Sequence, residues 1–192
     1  FDLSEPAHRA LHAACASGAA VVTPNPRAHA LYAHKSNLIT LGNDTLLTEW
    51  GVSAQDRALL KAAVPQTTTV TPDVADSLWA NRRKLFFKPV AGYGAKAAYR
   101  GDKLTRRVWE EIVAGGFIAQ ELVPPSERLV DVDGVPTRLK LDVRAYTYRG
   151  AVQLLAARTY SGQTTNMRSP GGGFCPVVVL PTLPLDTDPL AA

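Results

Sequence analysis

The sequence predicts an α/β protein of the α+β kind, and three observations carry that reading. Helix-period and strand-period segments succeed one another along the 192 residues. Two long alternating runs, "TRLKLDVRAYTYRG" and "AVQLLAARTYSG", meet at Arg149-Gly150 in the manner of an antiparallel hairpin. An apolar run ending in Lys88-Pro89 passes two closely spaced glycines and resumes as a small-residue strand, in "FFKPVAGYGAKAAYRG". Composition agrees: 46% hydrophobic and 20% charged residues are those of a globular chain.

In "DLSEPAHRALHAACASG", Ser4 caps a first helix, Pro6 sits in its first turn, Leu11, Ala14 and Cys15 face inward, and Gly18 ends it. "AAVVTP" reads as a short strand, and a helix follows over residues 28–41 with Leu31, Leu38 and Leu41 on one side. Residues 44–83 hold two or three helices around "TLLTEW", "QDRALLKAAV" and "DVADSLWANRR", with "PQTTTVTP" as a loop. A strand-loop-strand unit covers residues 84–100, a helix 104–114, and "GGFIAQELVPP" is a strand leaving into a proline turn. The long hairpin comes next, and the tail after Gly173 is proline-rich and extended.

Several function classes recede on composition. No run approaches the ~18 continuous apolar residues of a membrane span, so no membrane partner is expected. "AACASGAAVV" is short and has no basic region before it, unlike a signal peptide. Cys15 and Cys175 lack metal-ligand spacing, and the expectation is a reduced, cytoplasmic protein. The net charge of +4 invites nucleic acid, but Arg106 and Arg107 each have a glutamate four residues on, as on a solvated helix face. No nucleic-acid partner is expected. His8 and His12 stand four apart without a third ligand, which fits surface histidines better than a metal site. A chain beginning at Phe1 is expected to be a fragment of a longer one.

Lys88 is the first candidate for chemistry. Glycines at 92 and 94 would let backbone N–H groups approach an anion whose charge the lysine neutralises; an ordinary turn beside a solvated lysine is the plain alternative. The second is the row Lys140, Asp142 and Arg144, which alternation puts on one strand face, with Leu139, Leu141 and Val143 on the other. Such a row suits the ordering of a polyphosphate, and Arg158 on the returning strand would add a cation. Asn166 and Arg168 precede "SPGGG", where three glycines free a backbone for close approach to a ligand.

The ordered set resembles the ATP-grasp superfamily: the lysine–glycine hairpin, then "FIAQELVPPSERL", then the "K-x-D-x-R" strand with its returning arginine. The likeness spans residues 22–175 and implies an ATP-grasp-like fold, two α+β subdomains clamping a nucleotide. Residues 1–43 would be the remnant of a preceding domain, 44–121 the first subdomain, 122–180 the second and 181–192 a proline-rich tail. By the resemblance Lys35, Lys88, Gly92 and Gly94 meet phosphates, Gln120, Glu121, Leu122 and Val123 form the adenine hinge, and Glu127 holds the ribose. Lys140 and Asp142 would order the polyphosphate, while Arg144, Arg158 and Asn166 would act at the transferring group. The implied cofactors are ATP and Mg2+. The implied reaction is ligation of a small-molecule or peptide carboxylate to an amine or similar nucleophile through an acyl phosphate. Members usually finish with an aspartate and a Glu-x-Asn that hold magnesium. This chain offers only Asp186 and Asp188 after Gly173, which leaves the metal ligands open and a non-catalytic nucleotide-binding module as the alternative.

Overall fold

The computed structural model describes residues 3, 5–92, 97–162 and 165–181. It is an α+β protein with two antiparallel four-stranded sheets, in two compact units, Phe1–Val123 and Pro124–Ala192. The expected cap Ser4, Gly94 and the tail carboxylates Asp186 and Asp188 lie outside the described residues. Among the described residues no helix is long and apolar enough to cross a membrane.

In the first unit, α1 (Arg9–Ala16), α2 (Pro26–Tyr32), α3 (Asn37–Leu41), α4 (Asp44–Glu49) and α5 (Ala54–Ala63) precede β1 (Thr67–Thr69). Then come α6 (Ala75–Asn81), β2 (Leu85–Pro89), β3 (Tyr99–Arg100), α7 (Arg106–Val113) and β4 (Phe117–Glu121). Short polar side chains start several helices by accepting the amide N–H three residues on. Asn25 does so from Ala28, Asn43 from Leu46, Ser53 from Asp56 and Thr105 from Val108. Gly115 and Gly116, both at positive φ, stop α7 and turn the chain into β4.

Three expectations for this unit are corrected. "AAVVTP" forms no strand: it pairs with no sheet edge, and Val21 is 95% exposed. The helix over 28–41 is two helices, because the Lys35 amide leaves the helical ladder for the Val90 carbonyl at 2.8 Å and the Asn37 side chain takes the Leu31 carbonyl at 2.9 Å. "PQTTTVTP" contains β1, since its β-branched threonines pair with β4.

The sheet order is β1-β4-β2-β3. Alternation along β2 and β4 sends Phe87 and Ala119 into a core with Val70, Ala75, Trp109 and Ile112. Trp109 meets the Phe87 ring edge-on, with centroids 5.4 Å apart. α7 supplies that core from Trp109 and Ile112, three apart on one helix face. On its outer side the pair Arg107–Glu111 forms, at 3.4 Å. Arg106 lies instead over the Trp79 ring, 4.1 Å from its centroid. Gly101 is packed so closely that a β-carbon there would stand 1.8 Å from the Arg82 carbonyl oxygen.

The second unit is a meander of β5 (Ser126–Val132), β6 (Val135–Tyr148), β7 (Ala151–Tyr160) and β8 (Gly173–Pro176), each paired with the next. β5 was not expected from the pattern, although Asp133-Gly134 is a hairpin signal. Both residues take positive φ, as do Arg149 and Gly150 in the next turn. Leu139 and Ala157 are buried on one face of this sheet. The "SPGGG" loop packs there: a β-carbon on Gly171 would meet Val132 at 2.6 Å and Leu139 at 2.9 Å. Thr159 Oγ1 donates to the Gly171 carbonyl at 2.9 Å. The close approach that these glycines permit is therefore to the chain's own sheet.

Candidate functional site

The other face of the first unit's sheet carries Lys88. Register places Gln120 opposite both Phe86 and Thr67, so alternation sets Lys88, Gln120 and Thr67 on the face away from Phe87. Lys88 Nζ donates to Gln120 Oε1 at 2.6 Å, and Gln120 Nε2 donates to Thr67 Oγ1 at 2.9 Å. The Thr67 hydroxyl donates onward to the Pro65 carbonyl, also at 2.9 Å. Gln120 is 6% exposed, so the amide in the middle of this chain is dry.

Lys35 arrives from the break between α2 and α3. Its amide is fixed on the Val90 carbonyl, and its ammonium donates to the Gly92 carbonyl at 3.0 Å. The two lysines thus converge at the end of β2. Burial pushes the Lys88 ammonium below the ordinary lysine pKa, and the Lys35 charge adds in the same direction. Among the described residues neither ammonium has a carboxylate within ion-pair reach. Two cations gathered without a counter-ion are suited to an anion.

At the end of β4, the Glu121 amide bonds the Gln66 carbonyl at 2.8 Å and the Leu122 amide the Lys84 carbonyl at 2.9 Å. The Val123 amide is then the first in this segment with no protein acceptor among the described residues.

In the second unit the charged row exists, and its central carboxylate is already paired. Asp142 stands opposite Arg158 and accepts two hydrogen bonds, from Nε at 2.6 Å and Nη2 at 2.8 Å. That contact raises the pKa of the guanidinium further. Lys140 donates to the Gly162 carbonyl. Glu127 is opposite Lys140 in register, yet its carboxylate lies 3.5 Å from Arg138 Nη1. Asn166 turns inward on its own loop, its Oδ1 accepting from the Arg168 amide at 3.1 Å. Arg144 lies 5.8 Å from the Tyr146 ring centroid and has no carboxylate partner among the described residues.

The sequence reading missed Thr67 and Tyr160. Thr67 sat in a segment read as a loop, where only its β-branched run hinted at a strand. Tyr160 is a buried neighbour of Lys140 across the ladder. Burial pushes its phenol up, with Asp142 adding to the shift.

No protein-family model matches this chain, and no curated protein matches it either.

Proposed function

We propose that this chain is an ATP-binding, ATP-grasp-like protein that joins a carboxylate to an amine or similar nucleophile through an acyl phosphate. The convergence of Lys35 and Lys88 beside Gly92 carries the reading. Bringing an ammonium partly out of water beside a second cation is unfavourable until an anion arrives, and a polyphosphate supplies several oxygens at once. The open amide of Val123, past the end of β4, suits the edge of an adenine ring. Glu127 would accept from the ribose hydroxyls once released from Arg138.

In the proposed reaction a substrate carboxylate oxygen bonds to the γ-phosphorus while the bond to the β-bridging oxygen breaks, and ADP leaves. The nucleophile's nitrogen then attacks the acyl carbon, inorganic phosphate departs, and the amine gives up a proton. Lys35 and Lys88 would hold phosphate oxygens against this charge movement, and Arg144 is the cation of the charged strand with no carboxylate partner among the described residues. Arg158 is committed to Asp142 and orients that carboxylate. Both Asp142 oxygens are engaged in that pair.

Calorimetric titration with magnesium and ATP tests the reading, with ADP release in pooled amino acids reporting turnover. Lys88→Ala should weaken ATP by about tenfold to a hundredfold, the worth of one charge-assisted contact. Equal affinity in the two proteins would remove the phosphate role of Lys88. Binding without ADP release would make the chain a nucleotide-binding module.

A further inference from the structure

We infer that Thr67 is a positioning residue for Lys88, acting through the Gln120 amide, which it holds in one of two orientations. An amide end is either a carbonyl or an NH2 group, and rotation by half a turn exchanges them with little change of shape. Only the carbonyl can receive the Lys88 ammonium; the NH2 would set donor against donor. The ammonium favours this orientation from its own side, and the other end of the amide enforces it. The Thr67 hydroxyl spends its single proton on the Pro65 carbonyl at 2.9 Å, so toward Gln120 it presents only a lone pair. That lone pair requires the Gln120 NH2, which turns Oε1 to Lys88 at 2.6 Å. Polarity therefore runs one way between the Pro65 carbonyl and the ammonium, and both ends of the relay demand the same amide orientation.

Burial gives the relay its force. With Gln120 6% exposed, water does not readily replace a missing partner, and the amide keeps a preferred orientation. The ammonium keeps two further protons, and holding the first on Gln120 restricts where those two can point. Thr67 touches none of the proposed ligand. Its effect on phosphate binding passes wholly through Lys88, and that functional arm rests on the nucleotide reading above, whereas the relay itself does not.

Two measurements separate these layers, using the full chain with Thr67→Val, Thr67→Ser and Lys88→Ala. Valine keeps the β-branched shape and removes the acceptor; serine keeps the acceptor. Without ligand, the 1H–15N spectrum of the lysine ammonium groups near pH 6 should show one exchange-protected signal that Lys88→Ala abolishes. Thr67→Ser should retain this signal and Thr67→Val should lose it. Its absence from the wild type, or its survival in Thr67→Val, would overturn the relay. With ATP as the probe, Thr67→Val should weaken binding several-fold in the wild-type background and not at all in Lys88→Ala, since the loss has no other route. Equal losses in both backgrounds would make Thr67 merely structural. A protected signal in a protein that does not bind ATP would uphold the relay and sink the nucleotide reading alone. ATP binding that is indifferent to Thr67→Val would sink the functional arm of the proposal and leave the nucleotide reading standing.

Discussion

Asp142 and Arg158 face each other across β6 and β7, joined by two hydrogen bonds of 2.6 and 2.8 Å. A register irregularity between Tyr146 and Thr147 makes this possible. Counted evenly back from the Arg149-Gly150 turn, Asp142 would meet Ala157, and Arg158 would lie opposite Leu141. The extra residue moves Arg158 one place along, to the charged face. A double-mutant cycle of Asp142→Asn and Arg158→Gln should return a coupling of about 0.5–1 kcal/mol in urea unfolding, because the pair is partly open to solvent. High salt should reduce it. Zero coupling at low salt would leave both side chains free for a ligand.

Lys88 should leave a mark on the pH dependence of stability. Its folded-state pKa lies below the unfolded value of 10.5, through burial first and Lys35 second. Between those two pKa values the unfolded chain binds the proton and the folded chain does not, so this group makes stability rise with pH across that window. Below the folded pKa the cost of burying the charge is present in full. Lys88→Met should therefore stabilise the protein most at neutral pH, with an advantage that shrinks toward pH 10.5. Urea midpoints of both proteins along a pH series check this, and parallel curves would count against a perturbed lysine.

At Gly101 a methyl group has nowhere to go. The Arg82 and Leu85 carbonyl oxygens would stand 1.8 and 2.9 Å from it, and these are backbone atoms that cannot swing aside. Gly101→Ala should cost about 1–3 kcal/mol or more, seen as a lowered melting temperature. Gly92→Ala would bring its methyl near none of the described residues, leaving a positive φ as the strain they show, and should cost less. A larger loss at position 92 would reverse this order.

Much of the fold was legible because its causes are local. α7 follows from Thr105, an apolar stripe and two glycines; the β6–β7 hairpin follows from period-two alternation and a glycine turn. β1 was not legible, because three threonines become a strand only when a distant β4 offers an edge. Lys88 could be singled out from its strand end and glycine loop. Its Gln120–Thr67 support could not, since those contacts join residues 32 and 53 positions apart. The charged row of β6 was legible as a face, while the pairing of Asp142 with Arg158 depended on a bulge that the pattern does not announce.

The two sheets differ in how far the chain must travel to close them. In the second unit β5, β6 and β7 are joined by two-residue turns, Asp133-Gly134 and Arg149-Gly150, so each pairing begins beside its own hinge. The first unit's sheet is complete only when Gln120 reaches Thr67, 53 positions away. Closing a flexible loop costs roughly 0.6 kcal/mol for every doubling of its length, which puts the long closure about 2–3 kcal/mol above a tight turn. Zipping of the hairpins is a microsecond event, whereas the β1–β4 search waits on a largely collapsed chain. β1, and with it the hydroxyl of Thr67, is therefore expected to join in the late steps of folding, and the lysine at the end of β2 to acquire its orientation once its sheet is closed.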